Sequence, residues 1–295
     1  SGSNEVIPIS NTSYPLDDKF WPHHDMRSGK SGVLIEVNVT DQSVGVISGQ
    51  VLIEVNDTGQ VLKEFDFGDI LSNYMLANGD DPSNLNRSPV NWFHGNSSLY
   101  NPADNSIITS SRENFIMKIG YDDKEIKWIF GDPSKHWFVN FPSLRSLALS
   151  TDSDYPIGQH AVSIDGDALM FYNNGTYSFR NPDNTPAGVN PNISLASKYI
   201  IDAAEKTATR IWNYEPNLYS GVCSSIFRDT ANGDYLLNHS AVGWSLNGGA
   251  NQEADNIFEG INENKEVLFK FLIKSSPCLI SWNTKIVDLN NLAYN

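Results

Sequence analysis

Three histidines stand beside strand-like segments that recur along this chain: His94, His160 and His239. In these segments apolar residues alternate with polar ones, which is the pattern of a half-buried strand. Histidines at equivalent points of a repeated unit would aim their rings at one common centre, so we predict an imidazole cluster. A neutral imidazole is a capable nucleophile near neutral pH, and a second one can carry the proton. The alternative, in which each ring is a structural hydrogen-bonding group, stays open at this point.

A further pair, His23 and His24, lies in the lead-in to the first strand-like segment. Successive side chains of a strand point to opposite faces, so we expect one ring to face the centre, and we assign that place to His24. The same alternation argues against a metal site, because adjacent histidines on one strand do not offer two ligands to one ion. We therefore predict no metal, although convergence of the three widely spaced histidines on an ion remains an alternative.

The segments that must position these histidines are hairpins. Residues 33–38 recur letter for letter at 51–56, and a polar turn at 57–60 leads into another alternating strand. Three more hairpins with polar turns follow, and each is preceded by a further strand. Four-stranded units that recur every few dozen residues are typical of β-propeller blades. We place the blades at about 20–80, 90–135, 155–215 and 220–275.

The whole chain, residues 1–295, is therefore predicted to be one all-β domain, a β-propeller of four to five four-stranded blades. Residues 279–289 would supply an additional strand. No segment shows helical periodicity over a useful length, and 143–150 could form a short helical turn at most. Four blades is the low end for a closed propeller, so either the ring closes with few blades or the chain lacks blades of a longer protein.

The composition excludes some classes of partner. The net charge is −15 and no basic stripe is present, which argues against binding to nucleic acid. No apolar run is long enough to span a bilayer, and no signal peptide is evident. Cys223 and Cys278 could form one disulfide or be two buried thiols, and both possibilities stay open.

Three groups of motifs stand around the candidate residues: the richest surrounds His94, a second surrounds His160 and ends at Arg180, and a third, weaker one runs from 225 to 240. Their segments are Trp92-Phe93-His94-Gly95-Asn96-Ser97, Tyr100-Asn101-Pro102, Ser110-Ser111-Arg112, Gln159-His160-Ala161, Asn173-Asn174-Gly175 and Ser225-Ile226-Phe227-Arg228-Asp229. Together these segments resemble the bacterial arylsulfate sulfotransferases, which use aryl sulfates rather than a nucleotide donor. No P-loop signature is present in the sequence, which agrees with a reaction that uses no nucleotide donor.

The resemblance implies roles for four residues. His239 would be the histidine that becomes transiently sulfated, and the kinetics would be ping-pong. His94 and Arg180 would hold the sulfuryl group, since a guanidinium offers a planar fork to oxyanions. His160 would act on the donor or acceptor oxygen. We add His24 and Asn96 as substrate-binding residues.

The resemblance also implies a setting. The family fold is a six-bladed propeller with a small amino-terminal β-domain, so this chain would lack that domain and at least one blade. The partners would be a small aryl sulfate and a phenol, without a cofactor. The chain could form a homodimer, or a complementing chain could supply what is missing, and the location would be periplasmic or otherwise exported.

Two other interpretations remain. The chain could be a non-enzymatic propeller that binds a ligand or a protein, because propellers serve both purposes. It could also be a truncated chain whose site is completed by a partner. Convergence of His94, His160, His239 and Arg180 in one channel would favour the enzyme, and scattered positions would favour the binding protein.

Overall fold

Sixteen strands form four antiparallel sheets in a computed structural model that describes residues 6–16, 20–41, 46–85, 91–176, 193–243 and 254–275. Within each sheet the strands neighbour one another in chain order. The arrangement is a four-bladed β-propeller, which confirms the predicted fold class.

Each sheet is one blade, and its first-named strand lies nearest the centre of the propeller. The strands of blade 1 are β1 (Trp21–Ser28), β2 (Val33–Asp41), β3 (Val46–Val55) and β4 (Val61–Asp66). Those of blade 2 are β5 (Gly95–Asn101), β6 (Ser106–Ser111), β7 (Ile116–Gly120) and β8 (Ile126–Phe130). Those of blade 3 are β9 (His160–Asp165), β10 (Ala168–Asn173), β11 (Leu195–Asp202) and β12 (Thr207–Tyr214). Those of blade 4 are β13 (Ser225–Arg228), β14 (Tyr235–Val242), β15 (Ala254–Ile261) and β16 (Val267–Ser275).

The two copies of the repeated segment pair with each other. They lie on β2 and β3, where Ile35 is opposite Ile53 and Val37 is opposite Val51. Cross-strand pairs of β-branched side chains stabilise a sheet by roughly 0.2–1 kcal/mol each. The verbatim repeat therefore builds the middle of blade 1.

Apolar layers join each blade to the next. Between blades 2 and 3 the rings of Phe171 and Tyr199 stack at 5.5 Å, and Phe130 meets Tyr199 edge-on at 5.1 Å. Similar layers fill the spaces between blades 1 and 2 and between blades 3 and 4. At the centre, Arg27 Nη1 of β1 donates to the carbonyl oxygen of Val162 at 2.6 Å, and its guanidinium lies 5.9 Å from the Phe227 ring. Arg27 thus ties blade 1 to blades 3 and 4.

Helices connect the first three blades, and one of them was not expected from the sequence. α1 (Phe67–Ala77) begins where the Asp66 carboxylate accepts the Asp69 N–H at 3.1 Å, and it buries Phe67, Leu71 and Met75 on one face. The expectation of no helix of useful length is therefore wrong. The shorter α2 (His136–Asn140), α3 (Pro142–Arg145) and a 3-10 turn at Pro82–Asn84 also lie between blades. None of the helices described in this chain is both long and apolar enough to cross a membrane.

The head of each central strand has an irregular backbone. His24, His94, Ala161 and Cys223 have φ values of 60°, 48°, 53° and 58°, in the left-handed region that L-residues rarely occupy. The ladders of β1, β5 and β9 with their neighbours also shift register there. Such irregularities re-aim side chains, and here they do so at one end of all four central strands.

Candidate active site

The irregular strand heads bring four imidazoles together. The ring centroids of His23 and His24 are 4.0 Å apart, and that of His94 lies 5.2 Å and 5.1 Å from them. The His160 ring lies 5.8 Å from the His24 ring. Three of the residues predicted to form the site, His24, His94 and His160, therefore meet where blades 1, 2 and 3 converge.

His23 belongs to the same cluster, which overturns the argument that adjacent side chains of this strand must point apart. Between Pro22 and Met26 the register of β1 slips, and His24 adopts its left-handed conformation there. The alternation of a regular strand therefore fails at these two residues, and both rings lie on the same side. No sequence signal marks this irregularity.

Hydrogen bonds fix the orientation of the His94 ring. The Asn91 Oδ1 atom accepts the backbone N–H of His94 at 3.0 Å and that of Gly49 at 2.8 Å, so its amide nitrogen faces His94 Nδ1 at 3.4 Å. His94 Nδ1 is therefore the acceptor, and Nε2 carries the hydrogen. Nε2 lies 3.1 Å from Nε2 of His24, to which it donates.

His23 is oriented by the next blade. Its Nδ1 atom lies 3.1 Å from the Gly95 carbonyl oxygen, so Nδ1 is the donor and Nε2 keeps its lone pair. Gly95 and Gly49 permit this approach, because a Cβ on Gly95 would lie 2.7 Å from the Gly49 carbonyl oxygen, and one on Gly49 would lie 3.2 Å from His23 Nδ1. Burial lowers the pKa of His23 and lowers that of His24 further, with help from the neighbouring imidazoles.

His160 is buried and held in one tautomer. Its Nδ1 atom lies 3.0 Å from the Gly158 carbonyl oxygen and 2.7 Å from Asn174 Oδ1. Asn174 cannot present its nitrogen instead, because that nitrogen donates to the Ser220 carbonyl oxygen at 2.6 Å. Nδ1 of His160 therefore carries the hydrogen and Nε2 keeps a lone pair. Burial, with the charge of Arg112, lowers the pKa of His160 to about 3, so the ring is neutral at physiological pH.

His239 lies elsewhere and is fully engaged. It is not at a strand head but inside β14, the second strand of blade 4, so its expected equivalence with His94 and His160 is wrong. The Tyr172 hydroxyl donates to its Nδ1 at 2.8 Å, and its Nε2 donates to Glu259 Oε2 at 3.0 Å. The side chain is 0% exposed, and burial lowers its pKa, so the contact with Glu259 is a hydrogen bond from a neutral ring.

Asn96 and Arg180 are the other two residues that were predicted to belong to the site. Asn96 is buried beside the site, and its Nδ2 donates to the carbonyl oxygen of Gln159, the residue before His160, at 2.7 Å. Its Oδ1 is buried with no hydrogen-bond partner in the described part of the chain. Arg180 lies outside the described residues.

Two further groups were not assigned a role from the sequence. Arg112 is buried, forms an ion pair with Glu113, and its positive charge lowers the pKa values of His24 and His160. Arg112 ends the Ser110-Ser111-Arg112 motif, so this motif could have identified it as a site residue from the sequence. Cys223 carries a free, buried thiol at the head of β13, and burial raises its pKa to about 12. Its possible partner Cys278 lies outside the described residues.

Comparison with known proteins gives one broad match and several partial ones. A family model described as Arylsulfotransferase (ASST) matches residues 9–283. The arylsulfate sulfotransferase AssT of Escherichia coli O6:H1 is 32% identical over 141 residues, which cover 42% of this chain and 23% of that protein. AssT of Lelliottia amnigena is 30% identical with the same coverage, so the aligned part of this chain spans under a quarter of either relative. The crystal structure of BamB from Moraxella catarrhalis aligns over 91% of this chain and 92% of the BamB chain at 10% identity. The TM-score of this alignment is 0.27, which is too low to indicate a shared fold.

Proposed function

Because this chain belongs to the arylsulfotransferase family, we propose that it transfers a sulfuryl group from an aryl sulfate ester to a phenolic acceptor through a sulfated histidine. The observation that carries the proposal is the meeting of His23, His24, His94 and His160 at the propeller centre. Neutral imidazoles with defined tautomers supply both a nucleophile and a proton acceptor, which are the groups this reaction needs.

The first half-reaction forms a bond between an imidazole nitrogen and sulfur. The lone pair of the nitrogen attacks the sulfur atom, the S–O bond to the aryl group breaks, and the phenolate leaves with that electron pair. In the second half-reaction an acceptor phenol gives its proton to a neutral imidazole, its oxygen attacks sulfur, and the N–S electron pair returns to the nitrogen. The imidazolium then passes its proton to a departing phenolate or to water, so the enzyme is restored.

The tautomers support His160 Nε2 as the nucleophile. Its ring needs no deprotonation, because Nδ1–H is held by Gly158 and Asn174 and the lone pair of Nε2 is available. The same two acceptors would stabilise the positive charge that the ring gains on sulfation. His23 Nε2 likewise keeps a lone pair and supplies the proton acceptor.

The assignment of the sulfated residue to His239 stays a prediction from the resemblance. For His239 to accept the group at Nδ1, the hydrogen bond from the Tyr172 hydroxyl would have to break, because both ring nitrogens are engaged. These contacts support His160 over His239.

The remaining requirement is a binding site for the sulfuryl oxygens and the phenol. Arg180 is the cation implied by the resemblance, and the charge of Arg112 acts on the same imidazoles, so we propose that both stabilise the sulfuryl group. The buried Oδ1 of Asn96 supports a role as acceptor for the phenol O–H. We keep the exported location, the homodimer and the complementing chain as predictions.

The test is release of 4-nitrophenol from 4-nitrophenyl sulfate, followed by mapping of the trapped sulfated peptide. We expect release that depends on an added phenol and a sulfated peptide that contains His160. A sulfated peptide that contains His239 would overturn the choice of nucleophile and restore the assignment by resemblance. A folded protein that releases no nitrophenol would favour a binding propeller or a chain completed by a partner.

A further inference from the structure

The imidazoles at the heads of β1 and β5 have the geometry of a metal-ligand set. One ring nitrogen each from His23, His24 and His94 lies within 4.8 Å of the other two. The Nε2 atoms of His24 and His94 are 3.1 Å apart, whereas two nitrogens bound tetrahedrally to one zinc ion are separated by roughly 3.3 Å. We propose that these three side chains form a binding site for a divalent transition-metal ion of the zinc class.

The outer contact of His23 matches that of a ligating histidine. A metal-bound histidine almost always donates its other ring N–H to a carbonyl, carboxylate or water, which fixes the ring. His23 does this through Nδ1 to the Gly95 carbonyl oxygen and so presents Nε2. The ligand set does not include His160, so the Nε2 atom of His160 stays available as the proposed nucleophile.

Binding of the ion replaces hydrogen bonds of the cluster with three coordinate bonds. The His94 Nε2–H···Nε2 His24 contact is lost, and the hydrogen of His94 moves to Nδ1. There the new Nδ1–H faces the Asn91 amide N–H, because Asn91 Oδ1 already accepts the backbone N–H groups of His94 and Gly49. Asn91 must therefore rotate and release those two hydrogen bonds. The coordinate bonds compensate this loss, because the binding free energy of a structural zinc ion is far larger than that of a few hydrogen bonds.

The ligand chemistry selects the class of ion. The group consists of neutral nitrogens and contains no carboxylate, which suits zinc, copper or nickel and not magnesium or calcium. The positive charge of Arg112 acts on His24 and opposes a dication. We therefore expect the ion to carry an anion, such as chloride or hydroxide, on its open position.

The backbone gives independent support. His24 and His94, whose Nε2 atoms are 3.1 Å apart, are both non-glycine residues with left-handed φ values. Such conformations cluster at ligand sites, where surrounding structure holds them in place. The same irregularity removes the alternation that would otherwise separate His23 from His24.

The experiment uses the chain without a polyhistidine tag, stripped with a chelator and titrated with zinc chloride in a calorimeter. We expect one ion per chain, and an association constant at least about 100-fold lower in His24→Gln and His94→Gln. His136→Gln is the matched control, because His136 lies on α2 and contacts the Asn84 carbonyl oxygen, outside the cluster. Unchanged binding in both cluster variants, equal losses in all three variants, or no binding at millimolar zinc would overturn the site.

A second measurement avoids the risk that a variant does not fold. In the unaltered chain labelled with nitrogen-15 at histidine, zinc should shift the ring resonances of His23, His24 and His94 and leave those of His136 and His239 in place. Shifts confined to the latter two would refute the site. The proposed reaction uses the lone pair of His23 Nε2, so zinc should suppress nitrophenol release, and release is assayed in chelator. Zinc binding without nitrophenol release in chelator would refute the proposed function alone, and release in chelator without zinc binding would refute this inference alone.

Discussion

His160 and His239 are both buried histidines of neighbouring blades, yet they differ in what their rings have left to offer. His160 uses one nitrogen for two acceptors and keeps the lone pair of the other. His239 donates with one nitrogen and accepts with the other. The cause is position: an irregular strand head re-aims the His160 side chain towards the centre, whereas the register of β14 shifts only after His239, whose side chain lies between two blades. Residue type alone therefore does not identify the reactive imidazole.

The largest expected effect is on turnover. His160→Gln should lower kcat for sulfuryl transfer by roughly 10³-fold or more, because the attacking lone pair is lost. His239→Gln should change kcat by less than about tenfold. Initial rates at saturating 4-nitrophenyl sulfate, with circular dichroism to verify folding, measure both. The opposite ranking would mean that the ring engaged by Tyr172 and Glu259 is the nucleophile.

The next largest effect is on the free energy of unfolding, and it should follow from substitution of His239. His239→Gln removes a hydrogen bond to the buried Glu259 carboxylate and one from Tyr172, so we expect a loss of about 2–4 kcal/mol in the free energy of unfolding. Urea denaturation monitored by fluorescence measures this. The control His136→Gln should change stability by less than about 0.5 kcal/mol. Equal losses for the two variants would refute a structural role for His239.

A smaller effect on kcat should follow when the hydrogen bonds that fix the tautomer of His160 are weakened. Asn174→Ala removes one of the two acceptors of Nδ1–H, and we expect kcat to fall by about tenfold with KM little changed. The control is Asn140→Ala, whose side chain contacts His136 on α2. A rise in KM with unchanged kcat would place Asn174 in substrate binding instead.

The smallest effect is on how stability depends on pH. The pKa of His160 is lowered from 6.5 to about 3, so the unfolded chain binds the extra proton first as the pH falls. His160 therefore contributes stability that is present above pH 6.5 and is lost as the pH falls towards 3, with a slope approaching about 1.4 kcal/mol per pH unit. Subtracting the urea-denaturation curves of His160→Gln from those of the unaltered protein isolates this slope. If the free energies of unfolding of the two proteins change in parallel between about pH 6 and 4, which lie inside this window, His160 is not held neutral in the folded state.

Much of the fold could be predicted from the sequence, because blades are built from local hairpins. The pattern of polar and apolar residues identifies the turns and strands of such hairpins. The repeat at 33–38 and 51–56 became two paired strands of one blade. The helix α1 was missed because its apolar face consists of only three buried residues, although Asp66 was a visible N-cap signal.

The site could be predicted only in part. The motifs identified His94 and His160, which the structure brings together with His24. His23 was misplaced because a break in strand register leaves no mark in composition or spacing. His239 was taken as equivalent because spacing along the chain does not distinguish the first strand of a blade from the second. The role of Arg112 depends on burial beside the cluster, which no single motif reveals.

The left-handed strand heads have an evolutionary consequence. A non-glycine residue in this conformation costs on the order of 1 kcal/mol, and glycine relieves that cost. Replacing His24 or His94 by glycine would therefore ease the backbone while deleting an imidazole. Selection for thermal stability alone would therefore favour replacement of histidine by glycine at these positions. Lineages that retain histidine there are under selection for what the rings do, which makes these two positions the ones to compare across distant descendants.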